Sequence, residues 1–247
     1  MLLSRVSQWK LDENSGTTSY DSWGTNNGIR SDITGACDAT HCPQIQTSGC
    51  ISGNCLSFDG VNDYVDCGNG DDLDITGTLL TMSAWFYSTD QDTGYILAKN
   101  LSAPADIQYA FYVDASYTRI NIYINGAGVA NSNTGSIVTN KWNNTTIIYN
   151  GTNIAIYING VLARTPQAYS TPISSTNHDL SIGRRQGGVY FKGLIDDVRI
   201  YDEALLSSEV QSNYYLGINK LFLNNGIVSI EFMQRLTELK SNLVKNE

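Results

Sequence analysis

Hydrophobic positions recur with a period of two up to Tyr201, most plainly in Trp142 to Leu162, W-N-N-T-T-I-I-Y-N-G-T-N-I-A-I-Y-I-N-G-V-L. In an extended chain Ile154, Ile156 and Ile158 share one face and Ala155, Tyr157 and Asn159 the other. The β-branched and aromatic flanks, with Asn150-Gly151 between them, predict a β-hairpin with a type I′ turn. One of its faces wants a core; the other can meet water or a ligand. Further strands are expected at 6–11 and at 79–87, where Met82, Ala84 and Phe86 oppose Ser83, Trp85 and Tyr87. A strand pair is expected within 55–67, turning at Asp59-Gly60, and single strands at 95–99, 107–114, 119–125, 179–183 and 191–201. With no amphipathic helix between them, these strands predict an all-β fold, a two-layer antiparallel sandwich. R-I-N-I-Y-I-N-G and N-I-A-I-Y-I-N-G echo each other and read as two strands of one sheet rather than as a repeat.

After Tyr201 the period changes to 3.6. Val210, Tyr214, Ile218, Leu221 and Phe222 line one helical face, which Asn224-Asn225-Gly226 ends. Ser229 is placed to N-cap a second helix carrying Phe232, Leu236, Leu239 and Leu243. The chain therefore divides into a sandwich over 1–205 and a helical hairpin over 206–247.

Composition agrees with this division. Gly (22) and Tyr (15) are abundant and only 16% of residues are charged, which suits a β protein rich in turns. The net charge of −9 argues against a nucleic-acid partner. All of that imbalance lies in the β part, because 206–247 carries four basic and four acidic residues. Asp outnumbers Glu by 18 to 6, which fits carboxylates that close turns, a few of them available to Ca²⁺.

Four of the five cysteines are bunched as Cys37-x4-Cys42-x7-Cys50-x4-Cys55. Zinc sites favour shorter spacings, so disulfides are the better reading despite His41, and they imply an oxidising, extracytoplasmic setting. Of the three connectivities, Cys37 with Cys42 and Cys50 with Cys55 is preferred. Cys67, at the end of a strand, is expected to be a buried free thiol. No stretch approaches the roughly 20 apolar residues of a membrane helix, so no membrane insertion is expected. The start is too short and polar for a signal peptide, so an exported chain would be a mature or trimmed form. Four N-x-S/T sequons, at Asn100, Asn143, Asn144 and Asn150, permit surface glycosylation, although an Asn- and Thr-rich chain is expected to contain such triplets by chance.

Five stretches, in order, carry a resemblance. They are W-K-L-D-E-N-S-G-T-T-S-Y-D-S-W-G-T-N-N-G at 9–28, L-S-F-D-G-V-N-D-Y-V-D-C at 56–67, L-T-M-S-A-W-F at 80–86, the hairpin above, and G-L-I-D-D-V-R-I-Y-D-E-A-L at 193–205. Together they resemble the laminin-G-like, concanavalin A-like lectin/glucanase jelly rolls. The resemblance implies a two-sheet antiparallel jelly roll, often part of secreted or cell-surface proteins and serving in carbohydrate or protein binding. N-K-L-F-L-N-N-G-I-V-S-I-E-F-M-Q-R-L at 219–236 is similar to short C-terminal helical hairpins of bacterial and archaeal proteins, which implies self-association through these helices.

Three kinds of chemistry follow. Retaining glycoside hydrolysis needs two carboxyls roughly 5 Å apart, and no strand carries an E-x-D-x-E pattern; Asp196 and Asp197 are adjacent and point to opposite faces. Catalysis is not expected. A structural Ca²⁺ would be held by Asp21, Asn27 and Asp197, tying the first and last strands; the alternative is that Asp21 closes its own turn and Asp197 pairs with an Arg such as Arg199. A pentraxin-type paired-calcium site is not expected, because the matching strand runs on as S-I-G-R-R-Q-G-G. A glycan face would use Tyr112, Arg119, Asn121, Tyr123, Tyr157 and Asn159, whose rings stack on sugars and whose amides and guanidinium bond hydroxyls. The same residues also suit a solvated sheet face. Asp90, Asp92, Asp106, His178, Arg184 and Arg185 are candidates for its rim.

The expected function is a non-catalytic extracellular binding or adhesion module for carbohydrate or a surface protein. The alternatives are a structural subunit of a surface assembly, such as a pilus or coat, and a divergent glycoside hydrolase.

Overall fold

Period-two alternation produces two antiparallel sheets packed face to face. The computed structural model describes residues 4–32, 37, 41–88, 93–114, 116 and 118–244. A nine-stranded sheet runs Val161–Leu162, Asn153–Ile158, Trp142–Tyr149, Leu80–Ser88, Lys192–Tyr201, Cys55–Asp59, Gln44–Gln46, with Arg5–Trp9 against Lys192–Tyr201 and Gln167–Ala168 against Asn153–Ile158. An eight-stranded sheet runs Ala127–Asn131, Arg119–Ile124, Tyr109–Asp114, Gly94–Lys99, Leu180–Ile182, Tyr64–Asp66, Gly28–Ser31, Thr18–Ser19. Between them lie Met82, Ala84, Phe86, Ile154, Ile156 and Ile158 of the first sheet and Tyr109, Phe111, Val113, Ile120, Ile122 and Ile124 of the second. The expected inward face of the hairpin is thus core, and each such side chain contributes about 1.5–3 kcal/mol by leaving water.

Three expectations about connections change. The echoing strands lie in opposite sheets, Arg119–Ile124 in the eight-stranded and Asn153–Ile158 in the nine-stranded one. Cys55–Asp59 and Tyr64–Asp66 also lie in different sheets, so Asp59-Gly60 begins a crossing rather than a hairpin. Asn150-Gly151 is not a type I′ turn: Gly151 has φ +86° but Asn150 has no positive φ, so only one of the two left-handed positions that turn needs is present. Type I′ turns occur instead at Asn125-Gly126 (φ 50° and 74°) and Asn159-Gly160 (φ 53° and 74°), the ends of the two echoing strands.

The cysteines pair as Cys37–Cys42 and Cys50–Cys55, with Cα separations of 5.2 and 5.6 Å, and Cys67 is a buried free thiol. No helix among the described residues is long and apolar enough to cross a membrane.

Helices α1 (Ser207–Leu223) and α2 (Ser229–Val244) cover the outer face of the nine-stranded sheet. The Glu209 carboxylate accepts from Leu206 N at 2.7 Å, closing the first turn of α1, while Ser229 is the first helical residue of α2 rather than its cap. Tyr214, Ile218 and Leu221 bury against Trp85, Trp142, Ile51 and the Cys50–Cys55 bridge. The Trp85 and Tyr214 rings stack at 5.5 Å, and Gly217 permits this approach, since a Cβ there would lie 2.3 Å from Trp85 Cζ2. Arg235, 8% exposed, donates to Trp142 O (2.8 Å) and to Glu231 (2.8 Å). The hairpin therefore docks on its own sandwich.

Candidate functional site

On the outer face of the eight-stranded sheet the residues alternating with the core are Tyr95 and Ala98, then Ala110, Tyr112 and Asp114, then Arg119, Asn121 and Tyr123. Register sets Tyr95 beside Tyr112 and Tyr112 beside Asn121, while Ala98 and Ala110 pair below and leave room for the rings. Tyr95 and Tyr112 stack at 4.7 Å (22°), and Tyr123 follows at 6.0 Å (40°), giving a row of three rings across three strands. Beside the row, Asp114 accepts from Arg119 (3.3 Å) and from Asn121 Nδ2 (3.1 Å). A groove of about 270 Å³ opens at the Tyr123 end, lined by Tyr112, Asn121, Tyr123, Gly128 and Asn131. Gly128 leaves the wall of the groove bare beside Tyr123: a Cβ there would sit 3.7 Å from Tyr123 Cζ, in ordinary contact, and a larger side chain would project into the groove.

Burial, followed by the neighbouring phenols, pushes the Tyr95 and Tyr112 hydroxyls above their ordinary pKa. Both stay protonated at neutral pH and can donate as well as accept. At the other end, Arg185 stands 5.8 Å over the Tyr95 ring and Arg184 lies over Tyr64 while donating to Ser181 Oγ (3.3 Å). The face thus offers aromatic edges, amides and hydroxyls, a combination suited to a polyhydroxylated ligand.

Four of the six expected glycan-face residues meet here: Tyr112, Arg119, Asn121 and Tyr123. Tyr157 and Asn159 do not, because their strand belongs to the other sheet. Tyr157 packs beside Ile148 and Tyr201, and Asn159 is the first residue of a turn whose Oδ1 accepts from Asn144 N at 2.9 Å. Among the expected rim residues, Arg184 and Arg185 border the face. Asp106 accepts from Ser102 Oγ and Ala103 N (3.0 Å each), the His178 carbonyl accepts from buried Lys99, and Asp90 and Asp92 lie outside the described residues. Tyr95 and Gly128 were not foreseen. A register shift between Tyr95 and Leu97 breaks the alternation that would have marked Tyr95.

The expected calcium ligands are each engaged by N–H donors of the chain. Asp21 Oδ1 accepts from Gln8 N (2.9 Å), Trp23 N (3.0 Å) and Gly24 N (3.0 Å), and Oδ2 from Asn26 N (3.2 Å). Burial alone would raise the Asp21 pKa, but these N–H bonds and the Ser7 hydroxyl outweigh it and hold it below the usual value. Asn27 Oδ1 accepts from Asp21 N (3.0 Å). Asp197 pairs with Arg199 through both oxygens and accepts from Gln8 Nε2 (2.6 Å). The expected alternative, turn closure and an Arg pair, is what the geometry contains. Among the described residues no group of three or more His, Cys, Asp or Glu is placed to hold a metal. Asp196 is buried, its carboxylate accepts from Ile51 N (2.8 Å), and burial, then the charge of Asp197, pushes its pKa well up.

A family model described as the concanavalin A-like lectin/glucanases superfamily matches residues 59–211, more than half the chain and all the strands that build the site. The chain belongs to that superfamily. Its concanavalin A-like fold recurs in domain 4 of AbnA, an extracellular GH43 arabinanase of Geobacillus stearothermophilus, solved with arabinotriose; the TM-score is 0.63 at 17% identity, covering 84% of this chain and 97% of that one. A heptameric SAP-like pentraxin of Limulus polyphemus aligns at TM-score 0.50 and 21% identity, over 62% of this chain and 78% of that chain. A Trypanosoma rangeli sialidase mutant displaying trans-sialidase activity aligns at TM-score 0.61 and 13% identity, over 87% of this chain and 33% of that one. At these identities the likeness is one of fold, and concanavalin A-like sandwiches occur both within enzymes and as binding domains. No curated protein matches the chain.

Proposed function

We propose that the chain is a non-catalytic carbohydrate-binding module of an exported or surface protein, and that its ligand lies along the row Tyr95, Tyr112 and Tyr123. The observation that carries this reading is that row, flanked by Asn121, Asp114 and Arg119 and opening into the Gly128 groove. Two disulfides fit an oxidising, extracellular setting. The AbnA domain that shares the fold was solved with arabinotriose, so a titration panel of neutral oligosaccharides begins with that sugar. Calorimetry is expected to show saturable binding that survives EDTA, since rings, amides and a guanidinium can bond a sugar without a bridging ion. No heat with any oligosaccharide at millimolar concentration would sink the reading.

Self-association is a second reading, favoured by Leu223, Val228, Ile230 and Met233, which are 58–76% exposed on a hairpin with no net charge. Light scattering decides it: a monomer at working concentration removes it.

A further inference from the structure

The sequence holds four N-x-S/T sequons, and the fold treats them unequally. Asn100 is 1% exposed; its Nδ2 donates to Gln186 O (3.1 Å) and its Oδ1 accepts from Gln186 N (3.1 Å). Asn143 is 1% exposed and its Nδ2 donates to Val138 O (2.8 Å) and Lys141 O (2.9 Å). Asn144 is 4% exposed and its Nδ2 donates to Ala84 O (3.2 Å) inside the nine-stranded sheet. A glycan on any of these three would require the side chain to leave the interior and break those bonds.

Asn150 differs on both counts. It is exposed, at the tip of the turn joining Trp142–Tyr149 to Asn153–Ile158. Its side-chain bonds run through Oδ1 alone, which accepts from Thr152 N (3.1 Å), Thr152 Oγ1 (3.0 Å) and Asn153 N (2.9 Å), so Nδ2 is uncommitted. The Thr152 hydroxyl of the same sequon is exposed beside it. This turn belongs to the nine-stranded sheet, whereas the tyrosine row lies on the eight-stranded one.

We infer that Asn150 is the acceptor for a single N-linked glycan when the chain passes through an N-glycosylating export pathway. The donor is a lipid-pyrophosphate-linked oligosaccharide. Asn150 Nδ2 forms a C–N bond to the anomeric carbon and loses one proton; the C–O bond to the carrier breaks and its electron pair leaves with the lipid pyrophosphate. No electrons are exchanged with a redox partner.

The test is secretion of the full chain, behind a leader, from a host that N-glycosylates, with intact mass and glycopeptide mapping. One oligosaccharide per chain is expected, removed by an amidase that leaves Asp at position 150. Thr152→Ala and Asn150→Gln are expected to be secreted with the mass of the bare chain, and Thr152→Ser to keep the glycan. If Asn150→Gln is not secreted, Thr152→Ala, which leaves the Oδ1 contacts with the two backbone N–H groups in place, gives the same readout. A folded wild-type chain with bare mass, or a glycan mapped to Asn100, Asn143 or Asn144, overturns the inference. Neither outcome bears on sugar binding by the tyrosine face, which the unmodified chain retains.

Discussion

The two outer faces of the sandwich begin from the same code and end differently. On Leu80–Ser88 the residues alternating with the core are Ser83, Trp85 and Tyr87; on Tyr109–Asp114 they are Ala110, Tyr112 and Asp114. Both faces present aromatics. The first is sealed by α1 and α2, leaving Trp85 2% exposed, whereas Tyr112 and Tyr123 remain half-buried at the edge of a groove. An outward aromatic therefore does not by itself say what covers it: the helices close over one row and leave the other open.

The largest test of this contrast is Trp85→Ala. Losing the ring that stacks on Tyr214 should lower stability by about 3–5 kcal/mol in urea unfolding and loosen the hairpin. Tyr112→Ala, on the open face, should cost clearly less; equal losses would erase the distinction. Gly217→Val attacks the same seam from the helix side, driving a Cβ into Trp85, and is expected to cost about 1–3 kcal/mol by the same assay.

On the open face the effect should appear in binding. Tyr123→Ala and Gly128→Val, one removing the terminal ring and the other filling the groove, are each expected to weaken oligosaccharide binding about tenfold, or about 1.4 kcal/mol, with little change in Tm.

The smallest effect concerns pH. Burial, with the charges of Asp59 and Asp32, raises the Asp63 carboxyl from 3.8 to about 6 at the start of the open sheet. With a folded pKa above the unfolded one, the native state binds more protons between those values. Its contribution is therefore full below about pH 4 and is lost as pH rises through about 6, on the order of 1 kcal/mol after allowing for partial solvation. Asp63→Asn should flatten that slope in denaturation measured from pH 4 to 7.

Much of this was legible in the chain. Period-two alternation identified the long strands and the core isoleucines, the cysteine spacing favoured disulfides over a zinc site, and the change of period at Tyr201 marked the helices. Sheet membership was not legible. Tyr123 and Tyr157 sit in nearly identical I-Y-I-N-G segments, and only the crossing between Ala127–Asn131 and Trp142–Tyr149 separates them. Local pattern says which way a side chain points within a strand but carries no information about which layer the strand joins. Gly28–Ser31 and Gln44–Gln46 were missed because main-chain pairing holds them without a hydrophobic period. The Asp197–Arg199 pair was one of the two readings the chain offered, whereas Gln8, which bonds both Asp21 and Asp197, reaches them only in the folded chain.

The position of Lys192–Tyr201 has a consequence for the order in which the protein comes into being. Although made late, this strand lies inside its sheet, pairing with Leu80–Ser88, Cys55–Asp59 and Arg5–Trp9. The nine-stranded sheet cannot close until synthesis has passed Tyr201, and α1 begins only a few residues later, at Ser207. The tryptophan face and its cover are thus delivered almost together, so the time for which a nascent chain carries a finished but bare apolar surface is short.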